Sequence, residues 1–351
     1  MDPITHMLTG ACISRAGLNR KTGLATVTLV LAAEIPDIDI IYALRGPVEA
    51  LQHHRGWTHS FVGAPVMAGL ALSVVWTWNR LVRRSRPDPD RPVLLGARRL
   101  PVRWGVLYGI ALLGPLSHIL LDYTTAYGVR MFEPFSYRWY EWDTVSIIEP
   151  FMLGVLILGL TLPSLFALIH EEIGAQQPKF RGRTGAIVAL AAVALMWGVR
   201  DFYHRRAVLA LHARTYEGED PLHASAYPYP WNPFLWHGVV ETNDFYQILL
   251  VDSGHGEVDP GHRARTYYKS EETPVLEAAK RSSLGRVYLD WAKYPLIVTE
   301  PLPEHDVAYR VRFLDLRYSY PGRRPTRLGA SVDLSNNLEV VGQRFGPRQQ
   351  K

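Results

Sequence analysis

Phe61–Trp78 reads FVGAPVMAGLALSVVWTW, a run without a single charge and with tryptophans at its far end. As a helix such a run rises about 27 Å, close to the hydrocarbon thickness of a bilayer, which predicts a membrane span. Outward from it the pattern recurs in Trp104–Leu121 (WGVLYGIALLGPLSHILL), Phe151–Ile169 (FMLGVLILGLTLPSLFALI) and the shorter Gly185–Val199 (GAIVALAAVALMWGV). Four spans are therefore expected. A buried bundle inside a soluble protein fits less well, because several separate long charge-free runs are hard to produce there.

The 351 residues are 48% hydrophobic and 20% charged, with one cysteine and a net charge of +5, which excludes a disordered chain, a collagen and a disulfide scaffold. A mean hydropathy near zero hides a division between an apolar N-terminal part and a polar C-terminal part. The expected architecture is an all-α membrane helical bundle over residues 1–200, followed by a small soluble α+β domain with a mainly antiparallel sheet over residues 201–351. The lone Cys12 rules out an intramolecular disulfide and any cysteine-cluster metal site, so a metal would have to be held by His, Asp or Glu. Met1–Gly10 lacks the basic start, apolar middle and small-residue order of a removable signal peptide. Residues 4–16 and 23–35 read as two short helices around the Gly17–Gly23 turn.

Orientation follows from arginines. Asn79–Arg103 contains Arg80, Arg83, Arg84, Arg86, Arg91, Arg98, Arg99 and Arg103 against Asp88 and Asp90 alone. The positive-inside rule puts this segment in the cytoplasm. The ends of the flanking spans then emerge on the outer face of a bacterial inner membrane, together with the C-terminal domain. The segment has no interleaved aromatics, so a nucleic-acid partner is not expected.

Acids and histidines of the apolar part concentrate in Thr5-His6, Glu34–Asp39 (EIPDID), His53–Ser60 (HHRGWTHS) and Ser117–Asp122 (SHILLD). Ionisable groups at a membrane are expensive to desolvate and point to function by default. The topology brings the segments to one face. His59 precedes one span and His118 to Asp122 end the next, while His6 opens the first short helix and Asp37 and Asp39 follow the second. His118 and Asp122 share a helix face four residues apart, and Pro36 discourages helix at Asp37 and Asp39. His6, Asp37, Asp39, His54, His59, His118 and Asp122 are the candidate metal ligands, and a salt-bridge network is the plainer alternative. Imidazoles and carboxylates without thiolates suit divalent ions: zinc, manganese or iron, two or three of them. Arg55 either pairs with Asp37 or Asp39 or holds a substrate anion.

Asp2-Pro3-Ile4-Thr5-His6, Pro36-Asp37-Ile38-Asp39, His54–Ser60, Ser117–Asp122 with Gly128, and Pro134-Phe135-Ser136 resemble, in order, the motifs of the YdjM-like family of membrane-bound, metal-dependent hydrolases. The resemblance covers roughly residues 1–200. That family is distantly similar to the all-helical superfamily of zinc-dependent phospholipase C and single-strand nucleases. The resemblance thus implies zinc and phosphoester hydrolysis. Asp143 and Glu149 match a later acidic-proline pair of the family, with Glu149 standing where Asp is common, and are secondary candidates.

Clustered divalent ions lower the pKa of water and neutralise charge growing on a phosphoryl oxygen. Asp37 or Asp39 is the expected base, and Arg55 the expected partner of the leaving phosphate. The chain lacks HExxH, GxSxG, a P-loop and a dinucleotide fingerprint. A site beside the outer headgroups, near Trp139, Tyr140 and Trp142, implies membrane lipids as partners and a lipid or lipid-linked phosphoester as substrate. The leading non-enzyme alternative is a membrane scaffold or interaction protein with a structural metal site. A transporter would place polar groups at mid-membrane depth, whereas these gather at span ends.

In the C-terminal part, Val239–Val251 reads as extended, and Thr273-Pro274 starts a helix to Ser282. Leu284–Lys293 reads as a second helix. Alternation at Val307, Tyr309, Val311 and Phe313, continuing out of phase at Leu314, Leu316 and Tyr318, predicts a bulged strand. Asn336-Asn337 predicts a hairpin turn. This domain shows no comparable ligand cluster, which leaves it gating, partner binding or support of the site.

Overall fold

The computed structural model describes residues 1–85, 100–172, 182–304, 307–320 and 328–346. Arg86, Arg91, Arg98 and Arg99, with Asp88 and Asp90, lie outside the described residues. The chain divides into two compact units. One comprises Met1–Asp39, Arg55–Trp142 and Ile147–Gly198; the other comprises Ile40–His54, Asp143–Ser146 and Val199 onward. The all-α bundle followed by a small domain of antiparallel sheet is the fold observed, although two short N-terminal pieces group with the sheets.

In the helical unit, α1 (Pro3–Arg15) starts because Asp2 accepts the Thr5 N–H at 3.0 Å and Pro3 suits the first turn. A 3₁₀ turn at Leu18–Arg20 leads to α2 (Ala25–Ala32), so both short helices lie where the sequence places them. The helix α3 (Pro47–His53) belongs to the other unit. The long helices are α4 (Ala64–Ser85), α5 (Trp104–Tyr123), α6 (Pro150–Glu172) and α7 (Arg183–His212). By length and apolar composition, α5 and α7 can each cross a membrane alone. Among the described residues, two of the four expected spans pass this test, or three if Pro47–His59 and Ala64–Val82 together form one broken span. Asn79 and Arg80 enter the last turns of α4, and the apolar run described in α6 is Pro150–Pro163.

Small residues let these helices approach closely, as in membrane bundles, where packing rather than water release holds helices together. A Cβ on Gly10 would stand 2.8 Å from Leu29 O, and one on Gly114 would stand 2.5 Å from the Ala32 Cβ. The α2–α4–α5 seam is a cluster of Ala32, Ala68, Ala71 and Ala111. Gly159 of α6 and Gly185 of α7 meet in the same way. Leu158, Val188 and Leu195 are turned outward and exposed.

The other unit holds β1 (His223–Pro228), β2 (Leu235–Glu241), β3 (Phe245–Asp252), β4 (Glu257–Val258) and β5 (Arg265–Tyr268) in one antiparallel sheet. A second antiparallel sheet has the order β6 (Pro295–Glu304), β7 (Val307–Asp315), β8 (Gly329–Leu334), β9 (Val340–Phe345). Helix α8 (Pro274–Arg281) is capped by Thr273, whose Oγ1 accepts from Leu276 N at 3.2 Å, and Ser282 caps α9 (Ser283–Trp291) likewise. Both pack on the second sheet, and α3 packs on α9 and β9. The expected bulge in β7 is instead the strand's end. Asp315 caps a 3₁₀ turn over Leu316–Tyr318, and the register shift lies in β6 between Pro301 and Glu304. The β8–β9 turn forms as expected, with Leu338 as its left-handed residue (φ 64°).

Candidate metal centre

Four pieces of the helical unit supply the site. Pro36 breaks the run after α2, so Asp37 and Asp39 project from a 3₁₀ stretch that begins at Ile35. His59 lies in a short 3₁₀ turn, Trp57–His59, ahead of α4. His118 and Asp122 are one turn apart on the buried face of α5. His6 lies in the first turns of α1.

One ligand atom from each of Asp37, His59, His118 and Asp122 lies within 4.8 Å of all the others. His59 Nε2 is 3.3 Å from Asp37 Oδ1 and 3.5 Å from Asp122 Oδ2. His118 Nε2 is 3.5 Å and 3.4 Å from the same two oxygens. The two Nε2 atoms are 3.0 Å apart. Partners at the far side of each ring assign the tautomers. His118 Nδ1 donates to the Ala33 carbonyl at 2.6 Å. His59 Nδ1 lies 2.9 Å from Thr58 Oγ1 and 3.6 Å from Asp39 Oδ2, an arrangement that places its proton there. Two neutral imidazoles so held aim lone pairs at each other beside two carboxylates. A cation is what such a set accommodates.

The residues fit a divalent ion on two further counts. Asp122 Oδ2 and both ring nitrogens of His6 are buried without a hydrogen-bond partner, a rare condition in a native interior. His6 stacks on His118 with centroids 3.7 Å apart and brings Nε2 to 3.5 Å from Asp122 Oδ1. The other side of Asp122 is neutralised separately. Arg55 Nη2 lies 2.9 Å from Oδ1, and the Met1 amino group also lies on that oxygen. The Arg55 guanidinium and His6 therefore lie on one oxygen, and His59 and His118 face the other.

Several contacts hold Arg55 in place. Its backbone is left-handed (φ 52°) and its N–H donates to Asp39 Oδ2 at 2.8 Å. Its guanidinium also reaches Thr125 Oγ1 at 3.2 Å and the Gly128 carbonyl at 3.3 Å, and stacks over Tyr127. Asp39 thus spans His59 and the Arg55 backbone. His54 is not one of the group of four, and it follows α3, which groups with the sheet-bearing unit. Asp143, in that same unit, pairs with Lys293 at 3.4 Å, and Glu149 is buried in the helical unit.

Burial lowers the His59 pKa, which keeps the ring neutral. Glu34, absent from the expected ligands, is pushed up to about 7 by burial, with the charge of Asp37 adding to it, and its Oε1 is buried without a hydrogen-bond partner. The signal for it was its place three residues before Asp37 in an otherwise apolar segment.

Among known proteins, an uncharacterized protein of Bacillus subtilis (strain 168), YfhP, is 23% identical over 353 residues, covering 97% of this chain and 93% of its own. That similarity therefore runs through the sheet-bearing domain as well. No solved structure matches. The YdjM inner membrane protein family matches residues 1–207, more than half of the sequence, and spans every residue of the metal-suited cluster. The chain belongs to the YdjM inner membrane protein family.

Proposed function

We propose that this membrane protein is a metal-dependent hydrolase of phosphoesters, acting on a lipid or lipid-linked substrate. The observation that carries the reading is the set of two lone-pair-bearing imidazoles and two carboxylates within 4.8 Å of one another. Divalent ions bound there, zinc by the family resemblance, would supply Lewis acidity and a water of near-neutral pKa. The chain's own residues do the rest. Asp37 has 32% of its side chain exposed while its three partners are almost fully buried, so it is the ligand that substrate and water reach, and the base we favour. Asp39 and Arg55, both candidates for catalysis from sequence, have contacts suited to positioning: Asp39 orients His59, and Arg55 fixes Asp122.

Exposed Trp57 and Phe61 flank His59 in sequence, and exposed Phe132 packs on Phe61, a composition suited to the headgroup layer. They favour a lipid-borne substrate. An outward-facing site and C-terminal domain follow from the arginine distribution. A second reading has one observation of its own. Full burial of His59, His118 and Asp122 also suits a closed structural site, in which metal staples α5 to the loops and no turnover occurs. Purified protein assayed for metal stoichiometry and for hydrolysis of phosphodiester and phosphomonoester lipids separates the two. Turnover lost in Asp37→Asn supports the enzyme, and bound metal without turnover supports the staple.

A further inference from the structure

At the far end of α1 from His6, the helical unit carries a cavity of about 300 Å³ lined by Ile13, Ala16, Gly17, Leu18, Arg20, Lys21 and Arg183. Ten residues of helix separate His6 from Ala16, about 15 Å, so this cavity is distinct from the metal-suited cluster. Among the described residues that line it, three are cationic and none is acidic. The frame is ordered by hydrogen bonds. Arg183 Nε donates to the Ala16 carbonyl at 3.0 Å, which fixes the guanidinium at the cavity and neutralises an open carbonyl at the end of α1. Gly17 has φ 151°, and a Cβ there would meet the Arg183 Nε at 3.8 Å. The first turn of α7 begins at Arg183 and adds the positive end of a long helix.

The position also matters. Thr22 Oγ1 accepts from Arg103 N at 2.8 Å and Gly23 N donates to the Pro101 carbonyl at 3.2 Å, so this end of the bundle is where the arginine-rich segment enters α5. Ile13 and Leu18 give the cavity an apolar wall beside the cations. A free anion would need only the charges. An amphiphile with a phosphate at the cations and acyl chains along that wall uses both.

We propose that this cavity binds the phosphate of an anionic phospholipid headgroup, with Arg20, Lys21 and Arg183 as its cations. Each basic side chain near an anionic lipid contributes about a fivefold factor in affinity, so losing two should weaken binding about thirtyfold. The test uses the full-length protein in detergent, with thermal unfolding followed during titration with phosphatidylglycerol, with phosphatidylcholine and with inorganic phosphate. Stabilisation by phosphatidylglycerol alone is expected, with its midpoint shifted about thirtyfold in Arg20→Gln/Lys21→Gln. Lys21 is exposed, so Lys21→Gln is a variant that folds as the parent does, and it should shift the midpoint about fivefold. Equal stabilisation by phosphatidylcholine, the same stabilisation by inorganic phosphate, or an unchanged midpoint in these variants would overturn the proposal.

Discussion

His59 and His118 face each other through their Nε2 atoms at 3.0 Å, and each ring is turned that way by a partner behind it. Two neutral acceptors do not approach so closely for their own sake. Cation binding is the first prediction. Purified protein should retain divalent metal through gel filtration, and His118→Ala should lose it while keeping the far-ultraviolet circular dichroism of the parent. Elemental analysis of the two proteins is the measurement, and equal metal content would refute the assignment.

Asp39 should matter at one remove. Its carboxylate lies 3.6 Å from His59 Nδ1 and takes the Arg55 N–H at 2.8 Å. Asp39→Asn leaves every atom of the group of four in place but weakens the orientation of His59. Outer-shell losses of this kind lower metal affinity about 10–100-fold. Competition with a chelator of graded strength reads that change. Complete loss of metal would instead make Asp39 a direct ligand.

Gly114 ties the approach of α2 and α5 to the metal-suited cluster. A side chain there meets Ala32 Cβ at 2.5 Å and the Ala32 carbonyl carbon at 2.6 Å, so α2 and α5 must separate to admit one. Gly114→Val should cost about 1–3 kcal/mol and, because α2 leads to Asp37 and α5 carries His118, lower metal content as well. Gly109, with nothing within 4 Å of its Cβ position, is the control: Gly109→Ala should change neither. Thermal unfolding with and without added metal distinguishes the pair.

The reach of the sequence can be judged from these residues. Uncharged runs and the order of the His and Asp motifs were enough to place the helices, because membrane burial and metal chemistry restrict residue type strongly. The Asp37, His59, His118 convergence was visible for the same reason. Arg55 was not. Its pairing with Asp122 depends on a left-handed backbone at a non-glycine residue, held by Asp39, and no local pattern announces that. The placement of His54 with the sheet-bearing unit likewise depends on α3 docking against α9, a contact far away in sequence. In β7, alternation continued past the strand's true end because Leu316 is buried by a 3₁₀ turn that Asp315 caps.

Asp315 and Arg317 form a buried pair in the C-terminal domain, with Nε to Oδ2 at 2.7 Å and an Arg317 Nη2 bond to the Trp291 carbonyl at 2.8 Å. Arg317→Met removes the cation and leaves a fully buried carboxylate. Breaking one side of such a pair costs about 3–5 kcal/mol. The chemical denaturation midpoint of the C-terminal domain within the full chain should fall accordingly. A fall below about 1 kcal/mol would mean that water reaches Asp315.

His237 gives the domain a pH dependence whose sign can be worked out. Its ring is fully buried, Nε2 donates to the Leu316 carbonyl at 2.8 Å, and Tyr320 stacks on it with centroids 4.5 Å apart. Burial pushes its pKa down to about 4 from an ordinary 6.5. Below pH 6.5 the unfolded chain therefore takes up a proton that the folded domain refuses, and stability falls as pH drops toward 4, where the loss levels off. The full difference amounts to about 3 kcal/mol. Carboxylates titrate in the same window, so the measurement is a comparison: unfolding midpoints of the parent and of His237→Gln between pH 7 and pH 4. Glutamine retains an N–H for Leu316 and cannot protonate, so the variant's curve should be flatter over that interval. Parallel curves would show that acid reaches His237 in the folded domain, and that its burial does not govern the acid limb.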